Sequence, residues 1–189
     1  LKAGYCQRLG PTKMRADGTV TLIKGPKNII VDTGGPQDSE HIINALSKEG
    51  LSPRDITHVI CTHGHSDHVG NNNLFQEAAF IVSHDISNGD LYTFHDFKSG
   101  ESYSIDEHVE VIPTPGHTSQ DISVIVRTKE GVVAITGDLF ESEQDLVDEE
   151  LWRASSELPV EQEKSRARVL GIAEFIVPGH GDRFRVKKA

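Results

Sequence analysis

The sequence predicts an α/β domain: two β-sheets packed face to face, with helices covering their outer surfaces. Three observations predict it. Apolar, β-branched runs of four to seven residues recur along the chain, which is strand length rather than helix length. Two helical patterns, at 39–48 and 161–170, fall one in each half. Histidines and aspartates with ligand character follow the strands of both halves, so two sheets sharing one edge would gather them there.

The elements follow in order. Residues 19–23 and 28–32 form a strand pair turned at Gly25 and Pro26, and Asp32-Thr33-Gly34-Gly35 closes the second strand. Residues 39–48 form a helix with Ile42, Ile43 and Leu46 on one face, ended by Gly50. A strand over 56–61 runs into a histidine cluster. A helical turn covers 73–78 and a further strand 79–83. The strand at 109–112 leads to His117. Residues 121–127 and 131–136 form a hairpin that leads to Asp138. The second helix spans 161–170, and a strand at 174–177 precedes His180. No low-complexity linker interrupts the chain, so a single domain over 1–189 is expected.

Bulk numbers narrow the function. The chain has 189 residues, 36% hydrophobic and 25% charged, which is a globular composition able to bury a core. A net charge of −10 argues against a surface built mainly for nucleic acid. No apolar run approaches the length of a membrane span, and no signal peptide is expected. Two cysteines, Cys6 and Cys61, are too few for a disulfide scaffold, which favours a cytoplasmic or nuclear setting. Cys61 ends an apolar strand and reads as a core thiol.

The segment from Cys61 to Gly70 holds His63, His65, Asp67 and His68 as His-x-His-x-Asp-His. Three imidazoles and a carboxylate this close repel one another unless a cation joins them. All are donors that zinc, iron or manganese accept. His117 in Pro-Gly-His-Thr, Asp138 in Thr-Gly-Asp-Leu and His180 in Pro-Gly-His-Gly each follow a strand and a glycine, which lets the backbone turn sharply. A closed structural zinc site is normally cysteine-rich, so an open, hydrolytic metal site is expected.

This order of motifs resembles the metallo-β-lactamase-fold superfamily over nearly the whole chain. The resemblance implies an αββα sandwich with the metal site at one edge. It implies two zinc ions per chain, with iron or manganese as substitutes: one held by His63, His65 and His117, the other by Asp67, His68 and His180, and Asp138 bridging them. Asp67 could also orient the attacking hydroxide. By the same resemblance Asp32 bonds a ligand imidazole or the cluster loop. Segments 15–22, 31–36, 82–85, 177–181 and 184–186 look like a branch of the superfamily described as zinc endoribonucleases cutting the 3′ end of histone pre-mRNA. RNA is therefore the implied partner, and a homodimer would help to build an RNA surface.

Further residues have two readings each. His84 could give a proton or touch substrate, or be a loop histidine beside the capping Asp85. Thr118 and Ser119 could donate hydrogen bonds behind His117 or serve only the turn. His41, His58, His95 and His108 lack ligand spacing and read as surface or packing residues. Lys164, Arg166, Arg168, Arg183, Arg185, Lys187 and Lys188 are the only concentration of positive charge, a phosphate guide if they flank the groove. The acidic run 141–150 would oppose RNA there. A glyoxalase II-like thioesterase suits the compact, acidic chain as the alternative hydrolase. Single-iron persulfide chemistry, a metal-binding module without turnover, and β-lactam cleavage rank below it.

Overall fold

The β-branched runs do become strands. The computed structural model describes residues 1–187. The first sheet holds β3 (Thr21–Ile23), β4 (Ile29–Val31), β5 (His58–Cys61), β6 (Ala79–Val82), β7 (Asp85–Asn88) and β8 (Leu91–Thr93), in sequential order. The second holds β9 (Tyr103–Ser104), β10 (Val109–Pro113), β11 (Ile122–Thr128), β12 (Gly131–Ile135), β13 (Phe175–Val177) and β14 (Phe184–Arg185). β4, β5 and β6 run parallel, as do β12 and β13, while the other neighbouring pairs are antiparallel. β1 (Tyr5–Arg8) and β2 (Met14–Asp17) form a separate hairpin.

Side-chain alternation explains why these strands are apolar on both faces. Ile29, Val31 and Ile60 meet Val111, Val124, Val126, Val133 and Ile135 between the sheets. The intervening Ile30, Val59 and Cys61 point outward and pack with Ile42 and Leu46 of α1 (Ser39–Lys48). On the other side Ile112, Ile125, Ala134 and Ile176 pack with Val169 of α3 (Pro159–Ile172). Helix, sheet, sheet and helix thus form an αββα sandwich. Ile60 has no solvent exposure, so Ile60→Ala would open a cavity costing about 2–5 kcal/mol.

Several details differ from the sequence reading. Ile43 is 41% exposed, so the buried stripe of α1 is Ile42 and Leu46 alone. The turn expected at 73–78 is a short 3₁₀ stretch at Asn72–Leu74. The β1–β2 hairpin, β7, β8, β9, β14 and α2 (Glu150–Arg153) lack a clean apolar period, and pattern alone did not find them. All four strands β5, β10, β12 and β13 end at one edge, and the ligand-bearing loops leave from there. Ile122 donates its backbone N–H to the Thr62 carbonyl at 3.0 Å, which joins the two sheets at that edge.

Candidate metal centre

The loop after β5 delivers His63, His65, Asp67 and His68, and β10, β12 and β13 deliver His117, Asp138 and His180. Their donor atoms converge in two adjoining groups, His63, His65, His117 and Asp138 in one and Asp67, His68 and His180 in the other. In the first, His65 Nδ1 lies 2.9 Å from His63 Nε2 and 3.0 Å from His117 Nε2. Asp138 Oδ2 stands 3.7 Å from His63 Nε2 and 3.4 Å from His117 Nε2. In the second, His180 Nε2 is 3.9 Å from Asp67 Oδ2. Asp138 joins the groups, with Oδ1 3.2 Å from His68 Nε2 and Oδ2 3.2 Å from His180 Nε2.

Protein groups alone do not satisfy this pocket. His63 Nε2 and His117 Nε2 both converge on the single His65 Nδ1, one acceptor for two rings, an arrangement that a shared cation also fits. His68 Nε2 and Asp138 Oδ1 are buried and make no hydrogen bond. Such orphaned atoms require an explanation, and a cation supplies it. The donor set fits divalent metal: imidazole nitrogens and carboxylate oxygens only, in a pocket open to solvent where His65 is exposed and Asp67 half-buried. Without a cation the ring charges divide. Burial, with Asp138 pulling the other way, holds His63 well below the usual imidazole range, and burial also lowers His117. Burial opposes charge on His68, but Asp138 and Asp32 outweigh it and hold its pKa well above the usual value. Burial would raise Asp138, yet His68, His63 and His180 hold it well below the ordinary carboxylate range.

The rear nitrogens decide which atoms face inward. His68 Nδ1 lies 2.8 Å from Asp32 Oδ2, while Thr62 donates its backbone N–H to Asp32 Oδ1 at 2.7 Å and its hydroxyl to Oδ2 at 2.9 Å. Asp32 so grips both a ligand imidazole and the cluster loop, and its left-handed backbone (φ 58°) turns the chain to do so. His180 Nδ1 donates to the Asp17 carbonyl at 3.1 Å. Each bond puts the N–H at the back and leaves Nε2 free for a cation. Gly137 has φ +50°, and a Cβ there would collide with the Thr62 hydroxyl, so only glycine passes between the two sheets before Asp138.

Some candidates stand elsewhere. His84 stacks on Phe97 at 5.2 Å, its two nitrogens make no hydrogen bond, and it is outside both ligand groups. Burial, then Lys98, lowers its pKa. Thr118 serves Asp121 rather than His117: its N–H and hydroxyl donate to that carboxylate at 2.7 and 2.5 Å. Asp121 itself is pushed up to about 7 by burial, against those hydrogen bonds. Of the basic residues, Arg166 is buried, donates to the Leu139 carbonyl at 2.7 Å and to Asp145 at 3.3 Å, and lies 4.1 Å over the Phe140 ring. It cannot meet a phosphate. Lys164 and Arg183 pair with Glu161 and Glu130 at 2.8 and 3.2 Å. Lys188 lies outside the described residues. Cys61 is buried, its thiol pushed far up by burial.

The sequence reading missed the element beside the site. Asp17 closes β2, so the β1–β2 hairpin rises directly from His180. Arg8, Lys13 and Arg15 are exposed on it, and no salt bridge engages them among the described residues. Cys6 of β1 is exposed, and the hairpin meets the ligands through the Asp17 carbonyl at the end of β2. Its signal in the sequence was three cations bracketing Gly10-Pro11, too weak to stand alone. No helix among the described residues is long and apolar enough to cross a membrane.

Relatives agree with this geometry. The family model described as Metallo-beta-lactamase superfamily matches residues 15–180. The chain is 48% identical to Metallo-beta-lactamase domain-containing protein 1 of Xenopus laevis, covering 100% of this chain and 81% of that protein. It is 42% identical to the Homo sapiens protein of the same name, covering 98% and 80%. Among solved structures, that of Bacillus thuringiensis AiiA with N-decanoyl-L-homoserine at its active site superposes with a TM-score of 0.68 at 22% identity, covering 88% of this chain and 84% of that one. That likeness concerns the fold. Superfamily members are metal-dependent hydrolases, and the ligand groups support hydrolase activity here. In sequence, fold and the order of its histidines and aspartates, the chain belongs to the metallo-beta-lactamase superfamily.

Proposed function

We propose that the chain is a dinuclear metal-dependent hydrolase that cuts phosphodiester bonds of RNA, with the 3′ end of histone pre-mRNA as the substrate its resemblance suggests. The observation that carries the dinuclear part is Asp138, which reaches both donor groups, Oδ2 towards His63 and His117 of the first and His180 of the second, and Oδ1 towards His68 of the second. His63, His65 and His117 would hold one cation and Asp67, His68 and His180 the other, donors that zinc, iron and manganese all accept. Such a pair supplies water of lowered pKa and stabilises both the entering and the leaving oxygen.

The chain's own groups supply the rest. Asp32 and the Asp17 carbonyl hold the N–H of His68 and His180 at the rear, which keeps their Nε2 lone pairs pointed inward. Asp67, half-buried at the pocket mouth, would orient the attacking hydroxide. The exposed Arg8, Lys13 and Arg15 of the hairpin favour a phosphate backbone lying across that mouth. This hairpin takes the role that the paired Arg166 and Arg183 cannot fill. A homodimer would extend the strip.

A second reading, a small-molecule hydrolase acting on a thioester of the glyoxalase II kind, draws on Glu141. Its carboxylate lies 3.7 Å from His180 and would repel an anionic substrate. The test separates the two. Purified protein is given a histone pre-mRNA 3′ fragment and, in parallel, a thioester panel, with Asp138→Ala as control. RNA cutting that vanishes in Asp138→Ala and falls several-fold in an Arg8→Ala, Lys13→Ala, Arg15→Ala triple variant supports the nuclease. Thioester turnover without RNA cutting overturns it.

A further inference from the structure

We propose that Glu141 is a ligand of the second cation, and that it makes this half of the centre oxygen-rich and selective for a harder divalent ion such as Mn2+. The inference rests on the two-ion reading above and adds a residue outside the seven expected ligands. Glu141 sits just beyond the short 3₁₀ turn Gly137–Leu139 that carries Asp138. Its Oε2 lies 3.7 Å from His180 Nε2, closer than Asp67 Oδ2 at 3.9 Å, although Asp67 belongs to the expected set. Donor atoms about 2.0–2.2 Å from one cation stand roughly 3.3–3.6 Å apart in a tetrahedral shell. The 3.2 Å between Asp138 Oδ2 and His180 Nε2 and the 3.7 Å from His180 Nε2 to Glu141 Oε2 fall just either side of that spacing. Asp138, Glu141 and His180 can share an ion by this geometry.

Glu141 is built into its place. Its side chain is 13% exposed. Ser155 donates its hydroxyl to Oε1 at 2.8 Å, leaving Oε2 towards His180. The Glu141 backbone N–H donates to Asp145 Oδ2 at 2.7 Å, and its carbonyl accepts the His180 N–H at 2.9 Å. Glu141 and His180 are thus locked together through the backbone. The same pocket contains the buried Asp138 Oδ1 and His68 Nε2, which stand 3.2 Å apart and make no hydrogen bond. A buried carboxylate set beside Asp138 with no cation near either is a poor arrangement, and one joined by a cation is a favourable one.

The two halves then differ in kind. His63, His65 and His117 offer three imidazoles with one carboxylate oxygen, a set suited to zinc. Around His180, Asp138 and Glu141 bring two carboxylates on one side and Asp67 a third with His68 on the other, an oxygen-rich set suited to manganese or iron(II).

The test loads metal-stripped full chain with one equivalent of Zn2+, then titrates Mn2+ and follows the loss of the aqueous Mn2+ electron paramagnetic resonance signal. Wild type is expected to take up one Mn2+ while keeping zinc, and Glu141→Gln to bind Mn2+ at least ~10-fold more weakly with zinc retained. Ser155→Ala, which keeps the carboxylate but frees it, is expected to show a smaller loss; it replaces Glu141→Gln as the deciding variant if circular dichroism shows the latter unfolded. Mn2+ affinity equal to wild type in the deciding variant overturns the role of Glu141. Wild type that takes two Zn2+ but no Mn2+ overturns the preference for a hard ion. Fewer than two ions of any kind in wild type would sink the two-ion reading itself.

Discussion

The two halves of the candidate centre are held in different ways. His63, His65 and His117 come from both sheets and are supported lightly: Thr62 Oγ1 lies 3.1 Å from His63 Nδ1, and His117 Nδ1 is buried without a partner. His68 and His180 are braced from behind, and the Asp67 backbone is closely packed. Asp32 holds His68, and the Asp17 carbonyl holds His180. Gly18 passes so close that a Cβ would collide with the Asp67 carbonyl. Lys2 Nζ, 2.5 Å from both Asp17 and Asp38, pins that segment in place. The contrast teaches that both halves depend on the sheets meeting, and that the second leans in addition on the N-terminal segment. Rear support orients ligands and matters nearly as much as the ligands themselves.

Removing what the halves share should have the largest effect. In Asp138→Ala both ions should be lost by elemental analysis and turnover should fall well beyond the ~10–100-fold typical of rear-support changes. One ion retained at full affinity would show the halves to be independent. Asp32→Ala comes next. It should weaken the ion of the second half by ~10–100-fold in calorimetric titration and the first less, since Asp32 reaches His63 only through Thr62; equal weakening of both would erase the contrast. Lys2→Met leaves Asp17 and Asp38 buried and unpaired, so about 3 kcal/mol of stability should be lost in urea unfolding, together with a looser second ion. Affinity for both ions unchanged would show that the N-terminal strut does not reach the centre. His65 is exposed, so His65→Ala should shift the stability of metal-free protein by less than about 0.5 kcal/mol. It should still remove the first ion, and a large loss of metal-free stability would contradict its light support.

Much of this was legible in the residue order because the strands carry both their length and their faces in their composition. Ile29-Ile30-Val31 and Val124-Ile125-Val126 are apolar throughout, which a strand needs when covered on both sides. The His-x-His-x-Asp-His loop is equally plain, since four donors in six residues have no ordinary packing role. The helix face at Ile43 was misjudged because a helical period does not say how wide a stripe its neighbours cover. Arg166 looked like surface charge because composition does not show that Phe140, Trp152 and Asp145 would enclose it. The β1–β2 hairpin was missed because exposed strands have no apolar face to betray them.

From its residues alone the chain declared its α/β class, its strand ends and seven donors, because local hydrophobic pattern and ligand chemistry are written in neighbouring positions. Only the tertiary structure decided which rear atoms turn each imidazole inward, that Asp17 and Lys2 stand behind His180, and that Glu141 lies nearer to it than Asp67. Those contacts join residues as far as 163 positions apart. Their distances follow from how two sheets and their loops pack, which no local pattern encodes.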